Sequence, residues 1–212
     1  MKTTIKLLAT LALVLAIFSP QTAANAGGGP GFYNFKARGG HAHFSNTDPS
    51  GCIVTDVFVF AGEEVLKTPH GPADASPRST LQISQYDTCT DTLLLAADGS
   101  TALAESDLQV ANKLKSATLD TTINVFDQVS NTSFDVTVNL NWAGTGDLIR
   151  DNQNFQIRSP GCIVNLRMHG TFRSAEASGS ISDGTTEFAP GSSVEAGMFS
   201  VKNGSVTIGC DA

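Results

Sequence analysis

The sequence predicts an all-β protein: a disulfide-braced antiparallel β-sandwich, or a barrel-like two-sheet fold, built from two similar halves. Three observations carry this expectation. Apolar and polar residues alternate with period two through long stretches, as in strands with one covered face. The segment Ser50-Gly51-Cys52-Ile53-Val54 is echoed by Pro160-Gly161-Cys162-Ile163-Val164, and each copy opens an apolar strand. Helical patterning is absent over any useful length. Ala102 to Lys115 comes nearest, but Leu108 and Val110 alternate like a strand.

Residues 1–26 read as a secretory signal peptide. Lys2 and Lys6 supply the positive start, Leu7 to Phe18 the apolar run, and Ala24-Asn25-Ala26 the small-x-small cleavage rule. The run is too short to cross a bilayer comfortably, and no second one follows, so no membrane span is expected in the mature chain. Cleavage near Ala26 implies a secreted protein, extracellular or periplasmic. It removes two of the 13 basic residues and none of the 20 acidic ones, leaving 11 against 20, a charge of −9. An acidic chain without a basic run argues against nucleic acid as a partner.

The mature chain divides into a flexible leader and first strand (27–48) and a single all-β domain (49–212), with halves at about 49–115 and 116–212. In the first half, Val57-Phe58-Val59-Phe60-Ala61 is unbroken apolar, which predicts a strand covered on both faces. Asp98-Gly99 predicts a turn. The clearest pattern lies in the second half. Phe134, Val136, Val138, Leu140 and Trp142 share one face, opposite Asp135, Thr137, Asn139 and Asn141. Ala117, Leu119, Ile123 and Val125 form the matching face of the preceding stretch, so 117–142 predicts a long hairpin. Trp142 is in phase with the apolar face and is expected in the core.

Toward the C-terminus, Val164, Leu166, Met168 and Phe172 alternate with polar residues. Past Ser174 the parity flips to Ala175, Ala177, Gly179 and Ile181, which predicts a β-bulge or bend near Ser174. Asp183-Gly184 predicts another turn. Asn203-Gly204 predicts a two-residue hairpin turn that would set Val201 opposite Val206 and Phe199 opposite Ile208.

Four cysteines in an exported chain predict two disulfides. The pairing Cys52–Cys89 with Cys162–Cys210 is favoured because each bridge then closes within one half. No Cys-x-x-Cys occurs, so a thiolate metal site is not expected.

Standard catalytic fingerprints are missing: no nucleophile-elbow Gly-x-Ser-x-Gly, no His-Glu-x-x-His, no phosphate loop. Two local features stand out. Gly40-His41-Ala42-His43-Phe44 places two histidines at i and i+2 on one strand face, a spacing that suits two ligands on one metal, with His70 and His169 as the remaining candidates. The Gly-x-His-x-His pattern in a disulfide-braced, exported β protein resembles the copper-zinc superoxide dismutases. That resemblance implies a copper held by His41, His43, His70 and His169. The second feature is the polar side of the strand 165–173, where Arg167, His169 and Arg173 form an expected face for an anionic ligand.

The sequence therefore predicts a secreted, non-enzymatic protein without a cofactor, acting as a binding or structural module toward a glycan or a surface protein. The alternative is a copper-binding redox enzyme.

Overall fold

Alternation dictates the central hairpin, and a computed structural model of the chain contains it. The structure describes residues 31–68, 71–73, 77–159 and 162–210. Strand β7 (Ser116–Asp127) pairs with β8 (Thr132–Gly144) in the register the sequence implies: Ala117 opposite Trp142, Leu119 opposite Leu140, Ile123 opposite Val136. The odd-numbered apolar side chains of β7 meet the even-numbered ones of β8 on one face and are buried there, while Asp120, Asn124, Asp135 and Asn139 face outward.

The same logic extends to the other strands: β1 (Gly31–Thr47), β2 (Ile53–Thr68), β3 (Gly71–Ala73), β4 (Arg78–Asp87), β5 (Thr92–Ala102), β6 (Leu108–Val110), β9 (Ile149–Ser159), β10 (Cys162–Ser182) and β11 (Glu195–Cys210). A 3₁₀ turn, Asn112–Leu114, lies between β6 and β7. All eleven strands of the described residues belong to one antiparallel sheet. Its main path runs β1-β2-β4-β5-β7-β8-β10-β11, following chain order. Because β1 pairs with both β2 and β11, the path returns to its start. The other strands attach at the margins: β3 to β2, β6 to β7 and β9 to β10.

The sheet carries apolar clusters on both faces. The larger one draws Phe44, Val57, Val59, Leu81, Ile83, Leu119, Ile123, Val138, Leu140, Trp142, Ile181 and Met198 from around the whole path. The smaller one joins Phe35, Ala37, Phe60, Leu166, Met168, Val201 and Val206, with Phe58, Phe155, Val164 and Phe199 packed against it. Each fully buried aliphatic or aromatic side chain contributes about 1.5–3 kcal/mol. The unbroken apolar run of β2 follows from this arrangement: Val57, Val59 and Ala61 enter the larger cluster and Phe60 the smaller.

Three local expectations are overturned. Asn203-Gly204 is not a hairpin turn. Strand β11 runs straight through it, and Val201 and Val206 find partners on β1 and β10 rather than in each other. The pair sits at a bulge, between Phe35 and Ala37 on the β1 side and between His169 and Gly170 on the β10 side. The glycine serves packing: a Cβ on Gly204 would lie 2.3 Å from the Phe35 ring.

Asp98-Gly99 is likewise interior to β5. A Cβ on Gly99 would meet the Asn124 carbonyl oxygen at 2.3 Å, so the glycine permits the close approach of β5 to β7. The parity flip near Ser174 needs no bulge there, since the β10–β11 register runs unbroken from Gly170 to Ala175. The strand passes from one cluster to the other. Leu166 and Met168 enter the smaller cluster on one face; Ala177 and Ile181 enter the larger on the opposite face. Asp183-Gly184 does turn, with Gly184 at φ +90° and the Asp183 carboxylate accepting the Thr185 and Thr186 amides.

Cys52 and Cys89 are disulfide-bonded and tie the start of β2 to the end of β4. In the second half the register sets Cys162, the first residue of β10, directly opposite Cys210, the last of β11. Residues 1–26 lie outside the described residues.

Candidate binding groove

Strand pairing assembles one row of side chains that the linear sequence keeps far apart. His43 on β1 stands opposite Phe58 on β2. Phe58 stands opposite Gln82 on β4, Gln82 opposite Asp98 on β5, and Asp98 opposite Phe126 on β7. Directly opposed residues share a face. The face is the one turned away from the larger cluster, since Val57, Val59, Leu81, Ile83 and Ala97 occupy the alternate positions.

From His43 to Asp98 this surface is concave, and Phe126 stands next to Asp98 beyond the lining. A groove of about 330 Å³ is lined by His43, Asp56, Phe58, Gln82, Ser84, Ala96, Asp98 and Gln128, together with Val57, Ile83 and Ala97. Among the described residues, no lysine or arginine lines it. His43 Nε2 and Asp56 Oδ1 lie 3.1 Å apart, and Gln128 Nε2 donates to Asp98 Oδ1 at 3.0 Å. These bonds fix the two carboxylates while leaving their other oxygens as acceptors.

Beside the groove, on the same face of the sheet, stands a stack of rings. His41 lies between Phe58 and Phe172, with ring centroids 6.4 and 6.2 Å away and both pairs stacked. Glycine makes the room. A Cβ on Gly197, the residue opposite His41, would fall 2.5 Å from Phe172 and 2.8 Å from His41. His41 is 5% exposed, and burial pushes its pKa down to about 4, so the ring is neutral over most of the pH range. Among the described residues its ring nitrogens have no hydrogen-bond partner.

The residues singled out from sequence fall in different places. His41 and His43 do share a face of β1. His169 belongs to another part of the molecule. His41 is opposite Gly197, Gly197 is opposite Ser174, and His169 lies five residues before Ser174 on β10. Two strand spacings and five residues put His41 and His169 roughly 19 Å apart. His169 is exposed and bonds Asn152 through Nδ1 at 3.0 Å. His70 lies outside the described residues. His41 and His169 are therefore too far apart to hold one copper ion together.

The expected anion face is also dispersed. Arg173 donates to the carbonyls of Gly146 and Lys113, and Arg167 stands roughly 20 Å away along the strand. Among the described residues, Cys52, Asp87 and Cys89 are the one group of three potential ligands within mutual reach. The two sulfurs are bonded to each other, and Asp87 caps its own turn through the Cys89 and Thr90 amides.

Sequence reasoning did not find Asp56, Phe58, Gln82, Asp98 or Gln128. Each reads locally as an ordinary strand or turn residue, and only the register of β1, β2, β4, β5 and β7 collects them. The chain matches no protein-family model, no curated protein and no solved structure at a significant level. The groove's own geometry is therefore the basis for a functional reading.

Proposed function

We propose that this is an exported, non-enzymatic binding protein that acts through the groove on the outer face of β1, β2, β4 and β5. The closed path of strand pairings supports reading the sheet as a barrel. The larger cluster would then be its filled interior and the groove a feature of its wall. The signal-like N-terminus and the bridge Cys52–Cys89 agree with a life outside the reducing cytoplasm.

One observation carries the reading: a concave row in which polar side chains converge beside a half-buried aromatic ring, more polar than a typical small-molecule pocket and so suited to a polar ligand. Binding is favoured over catalysis by the groove's contents. His43 is engaged by Asp56, and among the described residues no serine or cysteine side chain hydrogen-bonds to a histidine. The groove is also open along its length, so water reaches whatever lies in it.

The test is a nuclear magnetic resonance screen of the isotope-labelled protein. Its probes are separate pools of oligosaccharides, amino acids and short peptides, nucleotides, and fatty acids. The reading expects at least one pool to shift the amide resonances of Phe58, Gln82 and Asp98, and Phe58→Ala to abolish those shifts. Shifts confined to other surfaces, or none from any pool, would sink it.

A further inference from the structure

We infer that the ligand is a neutral saccharide chain, lying across the strands from Phe58 toward Phe126. This rests on the groove being the binding site. The chemistry of the lining both refuses some ligands and suits others.

It refuses anions. Asp56 and Asp98 supply negative charge, and no lysine or arginine among the described residues answers it, so phosphate, sulfate and carboxylate ligands meet repulsion. It does not suit a single metal ion. Asp56 and Asp98 stand on strands two spacings apart, roughly 10 Å, too far for both to bind one cation. It gives no edge for an added peptide strand at its floor, because β2 and β4 are each paired on both sides.

What it offers is matched to hydroxyl groups. Asp98, held by Gln128, keeps an oxygen free to accept. Gln82 stands between Phe58 and Asp98 with both an amide donor and a carbonyl acceptor uncommitted among the described residues. A sugar hydroxyl is donor and acceptor at once, so adjacent hydroxyls pair with an amide and a carboxylate side by side. On either side of the Gln82–Asp98 pair stands an aromatic ring. Phe58 is half-buried and braced on one side by His41; Phe126 is 43% exposed. Such rings receive the apolar C–H face of a pyranose while its hydroxyl rim is bonded at the edge. Three strand spacings separate Phe58 from Phe126, roughly 14 Å, which calls for a chain of sugars rather than one.

The experiment titrates the whole folded protein with neutral hexasaccharides (cello-, malto- and chitohexaose) and with an acidic control, hexagalacturonate. Affinity is read by calorimetry and location by amide shifts. At least one neutral hexamer should bind with shifts at Gln82 and Asp98, and its disaccharide should bind at least roughly tenfold more weakly, the value of one lost ring contact. Phe126→Ala, an exposed position that leaves both clusters intact, should weaken the hexamer roughly tenfold as well.

Equal or tighter binding of hexagalacturonate overturns the inference, as does a neutral hexamer that ignores Phe126→Ala. If amino acids, nucleotides or lipids shift the groove while no neutral hexamer does, the saccharide is wrong and the binding site stands. If no probe reaches the groove, both fall.

Discussion

Trp142 donates its indole N–H to the backbone carbonyl of His41 at 2.9 Å, joining β8 to β1 through the larger cluster. The ring lies beneath Gly40, where an added Cβ would come within 3.2 Å of it. The carbonyl it bonds belongs to the residue whose side chain, on the opposite face of β1, braces Phe58. One tryptophan thus ties the packed side of the sheet to the backbone beside the groove.

Trp142→Phe should therefore cost more than the volume it removes. It loses a buried hydrogen bond and leaves the indole's outer ring unfilled, together about 2–4 kcal/mol. Urea unfolding should show a lower midpoint with an unchanged slope. A loss under about 1 kcal/mol would mean that the bond and the packing are not coupled.

His41 should make the protein acid-sensitive at mild pH. Its folded pKa of about 4 lies below the ordinary value of 6.5, so in this range the unfolded chain binds the extra proton. Stability is full above the ordinary value, falls as pH drops from 6.5 to about 4, and loses up to about 3 kcal/mol from this one group. His41→Phe keeps the ring stack and should flatten the stability profile over that window. An unchanged slope would show that other groups dominate it.

Asp127 titrates lower. Burial works against its charge, but hydrogen bonds from Ser130 and from the Ala96 and Val129 amides outweigh it and bring its pKa down to about 2. Its contribution is present above the ordinary carboxylate pKa near 4 and is lost as pH falls toward 2. Asp127→Asn should weaken the protein at neutral pH and narrow the gap to the parent in strong acid, as followed by thermal unfolding at about pH 7 and about pH 2.

Gly204→Ala should destabilise through the Phe35 ring rather than through backbone strain. The new methyl would meet ring atoms at 2.3–2.5 Å. Over-packing of this kind costs about 1–3 kcal/mol. Phe35→Leu should be destabilising alone, yet the double variant should be more stable than the sum of the singles. Additive losses would point to the bulge instead.

Peptide mapping without reduction should recover Cys162 linked to Cys210, since their strands set them directly opposite each other. The Cys52→Ser/Cys89→Ser variant opens a link spanning 37 residues and should lose about 4 kcal/mol in the loop-entropy model. Recovery of a bridge between the halves would overturn the pairing.

Much of this fold can be read from local pattern. The β7–β8 hairpin follows from alternation because both strands have one covered and one wet face. The double-faced β2 follows from its unbroken apolar run. The errors share one cause. Asn203-Gly204 and Asp98-Gly99 carry turn chemistry, but their glycines answer to neighbours distant in sequence, the Phe35 ring and the Asn124 carbonyl. Ser174 marks no bulge; near it β10 leaves one core for the other. Periodicity reports which side is covered and is silent about what covers it.

The groove was illegible for a stronger reason. His43, Phe58, Gln82 and Asp98 come from four strands, and a slip of one residue in any pairing would turn its member to the opposite face. The histidine pattern was visible because it is local. The structure makes one of those histidines a brace beside the groove and the other part of its wall.

The order of the strands also sets a schedule. Of the eleven strands β1 is made first, and one of its two neighbours, β11, is made last. Until residues 195–210 have emerged, β1 can satisfy only its β2 side and holds a long open edge. Closing that seam joins segments roughly 150 residues or more apart, the slowest kind of contact to form. The chain's most vulnerable interval therefore falls just before its last strand arrives. A chain lacking β11 should aggregate through β1 even with every other strand present, and adding a synthetic 195–210 peptide in trans should suppress that loss.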